Sequence, residues 1–451
     1  MDGGYKGFLT DTERSILWSQ TFATCVIPVD APHRNNGALL TISNEFQSFA
    51  EDLGGVFDFA THSEWACWSL FREAAVDAIA MRTGFSISDE APLRAPITGK
   101  GRFIEFGAIE NLGINAVADR RGDTYCAGIY CLVPHLVFDF VVSLWTQPDF
   151  FADIPSSSQN GRQWFEQPVP KVISHFRTYQ RDLALAFARG DLQKTASLEL
   201  SPFGKNRLWE DMHPDRRLRV ILMVKYCFLH IWLHEIEHIF RGHVDFLHET
   251  GKPAPLFEFP AGEVSEIDPE VHQLMELMCD EAAGQFAILP PMAAAIKKDD
   301  RDPVLDKFAH DIVLRTLSAI IVSYLYLMEE TRKGQPSETP LHPPARYRFL
   351  DSFSSYMLAA IYTDRLLKDD GRTRWTMTDS AFYKAVENRI FREVRVLTGL
   401  HPTFMALAEN LKPATLDEHK AYLGGIDART VKKLGDIEEH ALFPRTFRFA
   451  R

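Results

Sequence analysis

The sequence predicts an α+β fold, predominantly helical, with a small sheet and one long buried helix. Three observations carry that expectation. Short β-type runs follow one another between residues 103 and 132. From Pro134 onward the hydrophobic pattern is helical almost throughout. The stretch Asp215–Arg241 is apolar around most of its circumference. With 451 residues, 46% hydrophobic and 24% charged, the chain has ample material for a core.

Taken in order, Thr10-Asp-Thr-Glu13 has the form of a capping box that opens a helix through Trp18. Glu64–Arg82 has helical periodicity and is stopped by Gly84. Phe103–Phe106, Ile114–Ala118 and Thr124–Leu132 read as strands, the last two joined as a hairpin through Arg120-Arg121-Gly122-Asp123. Pro155–Gly161 reads as a loop. Asp215–Arg241 reads as the long helix, with Gly242 just past its last turn as the stop. Asp268-Pro269 starts another helix, expected to run to Pro290-Pro291. Lys297–Pro303 and Lys333–Pro340 are solvated connectors, and the remainder reads as further helices. This gives a mostly helical region over 1–100, a core over 101–353 and a C-terminal helical region over 354–451.

Acidic residues outnumber basic ones 61 to 49, for a net charge of −12, which argues against nucleic acid as the main partner. No window supplies the ~20 apolar residues that cross a bilayer, and the first residues lack a secretion signal. The six cysteines are few, irregularly spaced and set among apolar residues, as reduced thiols are. Cys126 and Cys131 read as two packed thiols. The expected location is the cytoplasm.

The chemistry concentrates in His234-Glu235-Ile236-Glu237-His238, inside the long helix. Four residues is just over one helical turn, so the two imidazoles share a face with Cβ atoms ~6 Å apart. That spacing lets them bind one Zn²⁺ at ~2.0–2.1 Å. Glu235 follows the first histidine, where it can act as general base toward a metal-activated water. The flanking residues are strongly apolar, and burying His and Glu there is costly unless they are paired or bind metal. A hydrolytic site needs a third ligand and an open corner. Glu276 is the best candidate, with Glu281 and Cys279 as rivals. Asp280, four residues on, shares its helical face and can orient a ligand histidine. His342, before two prolines, sits on a stiff extended segment and can donate to an oxyanion. His230, one turn before His234, reads as a core histidine.

HExxH, the downstream Glu276-xxx-Asp280 pair and His342-Pro343-Pro344-Ala-Arg-Tyr-Arg348 occur in the order seen in gluzincin metallopeptidases. The pattern most resembles the CAAX-protease-like branch, and in its first two elements the soluble Lit-type and ImmA-type peptidases. The resemblance implies a zincin-like core with zinc on His234, His238 and Glu276, and Glu235 as base. It implies His342 or Arg348 at the oxyanion or substrate, and His243 as the histidine following the motif. It also implies a substrate-holding edge strand at Asn115-Ala116. Position 237 is Glu where the branch has Gly, and Cys279 stands where it has Ala.

The expected function is therefore a soluble peptidase with one zinc per chain, acting on a protein or peptide. The alternatives are a non-catalytic zinc-containing regulator or sensor, and a metal-free helical scaffold in which the motif is accidental. A cleft held closed until a trigger opens it fits the first reading too.

Overall fold

A small mixed sheet forms the floor on which the long helix and its neighbours assemble. The structure, a computed structural model, describes residues 42–57, 66–83, 93–97, 101–111, 113–156, 211–250, 256–257, 268–296, 301–333 and 380–400, and positions 189, 348, 355–356, 418, 421–422, 425, 436–437 and 439–442. Its strands are β1 (Val56–Phe57), β2 (Arg94–Ile97), β3 (Arg102–Ile109), β4 (Ala116–Arg121), β5 (Thr124–Tyr130) and β6 (Leu256–Phe257). Their order is β1-β3-β5-β4-β6, with β2 also on β3. β3 and β5 are parallel and the other pairs antiparallel.

The expected hairpin is there: β4 and β5 pair from Ala116↔Ile129 to Arg121↔Thr124, turning at Gly122 with φ 58°. Its limits differ from the sequence reading. β3 is longer than Phe103–Phe106, β4 begins later than Ile114, and β5 ends at Tyr130 because Leu132 already opens a helix. The sequence reading does not include β1, β2 and β6. Each is two to four residues long, too short for alternation to register. β1 and β2 bring chain from before residue 100 into the same sheet.

Helix α1 (Asn44–Glu51) lies on the sheet. Ser43 caps it, accepting from Phe46 N at 3.1 Å, and donates to Glu105 on β3 at 2.5 Å. Phe46 rests on Gly107, where any Cβ would come within 2.6 Å of the ring. Helix α2 (Ala66–Thr83) matches the expected span closely, and α3 (Leu132–Trp145) is buried at every position.

The long helix α4 spans Pro214–Phe240. His213 caps it and Pro214 occupies its first turn, where a missing N–H costs nothing. It packs against α2, α3, the sheet, α6 (Pro269–Ile296) and α7 (Arg301–Lys333), which is why it is buried nearly all round. Gly242 ends it as expected, at φ 79°. The backbone of His440 and Ala441 passes so close that a Cβ at Gly242 would lie 2.3 Å from His440 C. Helix α5 (His243–Glu249) follows at once.

Two helix limits are corrected. α6 runs past Pro290 and Pro291 to Ile296, since proline keeps a helical φ and its lost bonds weaken a helix without ending it. α7 begins at Arg301, inside the expected connector, with Pro303 in its first turn. Helix α8 (Ser380–Thr398) is the last long element described. The fold is mostly helical with a small mixed sheet. No helix among the described residues is long and apolar enough to cross a membrane. Thr10–Trp18 lies outside the described residues, as do 334–340 of the second connector and most of Pro155–Gly161.

Candidate metal centre

Near the C-terminal end of α4, His234 and His238 face α6 with their Nε2 atoms 3.1 Å apart. Both are buried, as is Glu235 between them in sequence. Glu276 of α6 reaches into the same point. Its Oε2 is 3.2 Å from His234 Nε2 and its Oε1 is 3.3 Å from His238 Nε2. Four donors at tetrahedral corners ~2.0 Å from a centre stand about 3.3 Å from one another. The two imidazoles and the carboxylate therefore have the spacing of a cation's ligand shell.

The outer nitrogens are held differently. His234 Nδ1 lies 2.9 Å from Asp280 Oδ1. Asp280 in turn accepts from Arg348 Nε at 2.8 Å and Arg348 Nη2 at 2.9 Å. Burial alone would raise the Asp280 carboxyl, but Arg348 and His234 hold it well below the usual carboxylate range. The carboxylate thus fixes the His234 tautomer with Nδ1–H outward and the Nε2 lone pair inward. His238 Nδ1 meets His243 Nδ1 at 3.0 Å. If Nε2 of His238 is a metal ligand, its Nδ1–H is the donor of this pair and His243 the acceptor. Burial, and then His238, push the His243 imidazole well below its ordinary value.

Cys279 is close as well. Donor atoms of His234, His238 and Cys279 lie within 4.8 Å of one another, a fully buried group that could hold a metal ion. Its thiol contacts His243 Nδ1 at 3.6 Å, on the outer side of His238. Burial raises it well above the ordinary thiol value. Glu276 meets both inner nitrogens, at 3.2 and 3.3 Å, whereas the thiol makes its contact with His243 on the outer side. Glu281, the other rival, is paired with Gln285 at 3.2 Å instead.

The family resemblance puts Arg348 at the oxyanion or substrate. Here it is buried with two guanidinium nitrogens on Asp280, and approaches Glu276 Oε2 only to 3.9 Å. It braces the His234 partner. Glu237, the departure from the family pattern, points the other way. Arg82 of α2 approaches it at 2.6 Å and Arg241 at 3.0 Å, joining α4 to α2. His230 is 3.2 Å from the Tyr356 hydroxyl, one turn from the centre.

The substrate-strand expectation meets a correction. β4 is not the sheet edge, because Val117 and Ala118 pair with Phe257 and Leu256 of β6. Asn115 just precedes β4, buried, its carbonyl accepting from Tyr130 N at 3.0 Å. Ala116 pairs with Ile129. His342 lies outside the described residues. Sequence reasoning missed His272, buried one turn before Glu276, with Nδ1 3.9 Å from Glu276 Oε1. Its signal was an HxxxE pair at helical spacing.

Among described cysteines, Cys126, Cys131, Cys227 and Cys279 are free and buried. Compared with known proteins, the chain matches no family model, no curated protein and no solved structure.

Proposed function

We propose that this protein is a zinc-dependent peptidase, with His234, His238 and Glu276 as ligands and Glu235 as the general base. The observation that carries the reading is the convergence of two Nε2 atoms and both Glu276 oxygens at 3.1 to 3.3 Å. Two imidazoles and a carboxylate make the three-ligand set of hydrolytic zinc sites, whereas structural sites favour four protein ligands and cysteine. A divalent cation held there would supply Lewis acidity to water and to a carbonyl oxygen.

The chain's own residues divide the remaining work. Glu235 sits beside the first ligand on the same helix, buried, where a carboxylate can take a proton from water and pass it to a leaving amine. Asp280, locked by Arg348, keeps the His234 Nε2 lone pair turned inward, and His243 does the same for His238. The apolar walls of α4 and α6 exclude bulk water and strengthen each of these contacts.

The test is Glu235→Gln in the full chain, assayed against a mixed peptide library with metal content measured in parallel. The expected outcome is full metal content with hydrolysis reduced about 10²–10⁴-fold. A variant that cleaves as well as the parent would remove Glu235 as the base.

One observation favours a second reading, the nearness of Cys279 to the two histidines. If the thiol completes the ligand shell, the centre is closed and the protein is a zinc-containing sensor.

A further inference from the structure

Helix α5 is seven residues long and carries polar side chains to opposite sides. His243, its first residue, is buried, with Nδ1 3.0 Å from His238 Nδ1. Asp245, two residues on, stands about 200° further round the helix and faces the sheet. Three strands meet it there. Arg102 of β3 donates through Nη1 to Asp245 Oδ2 at 2.8 Å, and the Tyr125 hydroxyl of β5 donates to the same oxygen at 2.6 Å. Arg120 of β4 donates through Nη1 to Oδ1. Arg102 also donates to the Tyr125 oxygen, so the three partners form one network. One turn on, His248 Nε2 lies 3.1 Å from Asp119 Oδ1 of β4.

We propose that Asp245 is a positioning residue of the metal centre: by pinning α5 to β3, β4 and β5 it sets the reach of His243 to the outer nitrogen of His238. The inference rests on the metal reading above and goes beyond it, because it names what holds the outer partner of a ligand in place.

Helix α5 cannot place itself. Isolated helices shorter than about 12–15 residues are marginal in water. This one opens on Gly242, which has no side chain to cap it and whose φ of 79° turns the chain out of the line of α4. Its direction is therefore set by tertiary contacts. Asp245 makes charge-assisted contacts of this kind, a buried carboxylate between two guanidinium groups and a phenol. At the far end, His440 Nδ1 approaches Glu249 Oε2 at 3.4 Å, six residues from His243. The imidazole pair has little slack: a shift of about 0.5 Å takes a bond of this length to the edge of the hydrogen-bond range. Partners that orient a ligand histidine commonly set metal affinity by about 10–100-fold without touching the ion.

An aspartate that only tied α5 to the sheet would act on stability whether or not His243 is present. One that acts through His243 loses its effect on the centre when His243 is removed. The experiment uses the full chain and Co(II) alone as the probe, with affinity measured by competition with a chromophoric chelator. Asp245→Asn, His243→Ala and the double variant form one cycle, and Arg120→Gln with and without His243→Ala forms a second. The expected result is about 10-fold weaker binding for Asp245→Asn and about 10–100-fold weaker for His243→Ala, with the double variant within about 2-fold of His243→Ala alone. Arg120→Gln, which keeps the carboxylate and removes one of its partners, should show a smaller loss that also vanishes without His243. That second cycle decides the question if Asp245→Asn does not fold. Losses that multiply in the double variants overturn the proposal, because Asp245 would then be serving the fold. Equal affinity in the parent and Asp245→Asn overturns it too, as does a His243→Ala variant that binds as tightly as the parent. In both of these cases the metal reading stands. A parent that binds no Co(II) overturns the metal reading, and the role of Asp245 falls with it.

Discussion

The two ends of α4 bury polar groups to opposite effect. Near its start, Arg216 is fully enclosed and spends its guanidinium on five backbone carbonyls, those of Trp145, Gln147, Phe151, Ile154 and Pro155. Burial pulls its pKa down to about 10, which still leaves it charged at neutral pH. Every acceptor is a main-chain oxygen at the end of α3 or just beyond it, so this charge closes a loop onto the helix. Near the other end, two imidazole nitrogens and two carboxylate oxygens crowd one point. The first arrangement is complete without any ligand. The second groups buried side chains that, on the proposed reading, a cation would complete. Buried polar groups that satisfy one another hold a fold, and a buried convergence of metal-ligating side chains is a candidate site.

That contrast can be broken at its structural end first. Arg216→Met leaves five carbonyls short of a donor and should cost about 3–4 kcal/mol in urea unfolding, with Co(II) binding by the still-folded fraction unchanged. Loss of metal binding in the folded fraction would show that the two ends are coupled.

At the other end, Asp280→Asn removes the anionic partner of His234 Nδ1. Metal affinity measured by chelator competition should fall about 10–100-fold, because a neutral amide neither fixes the tautomer nor supports the imidazole as strongly. An undiminished affinity would mean that Asp280 serves only as the counter-charge of Arg348.

An effect that depends on pH follows from His310 on α7, which accepts from Arg219 Nε at 3.2 Å beside the Arg216 loop. Burial first, then Arg219 and Arg389, lower its pKa from 6.5 to about 3. The unfolded chain takes up this proton near pH 6.5 while the folded chain resists until about pH 3. The stability is whole above the first value and is lost as pH falls between the two, by up to about 1.4 kcal/mol per unit. His310→Gln should flatten that slope in urea titrations at about pH 4 to 7. An unaltered slope would assign acid lability elsewhere.

The smallest effect is expected from Cys279→Ala. If Glu276 is the third ligand, the Co(II) spectrum of the parent carries no thiolate charge-transfer band and the variant's is the same. A band that disappears with the thiol would move the centre to a closed, cysteine-containing shell and favour the sensor reading.

Much of the site was legible because helical geometry is local. The spacing of His234 and His238, the placement of Glu235, and the shared face of Glu276 and Asp280 all follow from residues per turn. Gly242 and Asp268-Pro269 marked helix ends for equally local reasons. The sheet was less legible. β1, β2 and β6 are too short for a periodic signal, and β6 reaches β4 only because the chain returns from beyond α5.

By itself, the sequence determined that two imidazoles share one face of a buried helix and that an acidic pair shares one face of another. Packing decided that these faces meet, since contact between α4 and α6 depends on how their apolar surfaces fit with α2, α3 and α7. Packing also set Arg348 on Asp280, aimed Glu237 at Arg82, and brought His272 beside Glu276. Side-chain partners across helices are set by burial and shape in three dimensions, and a period read along one helix carries no record of them.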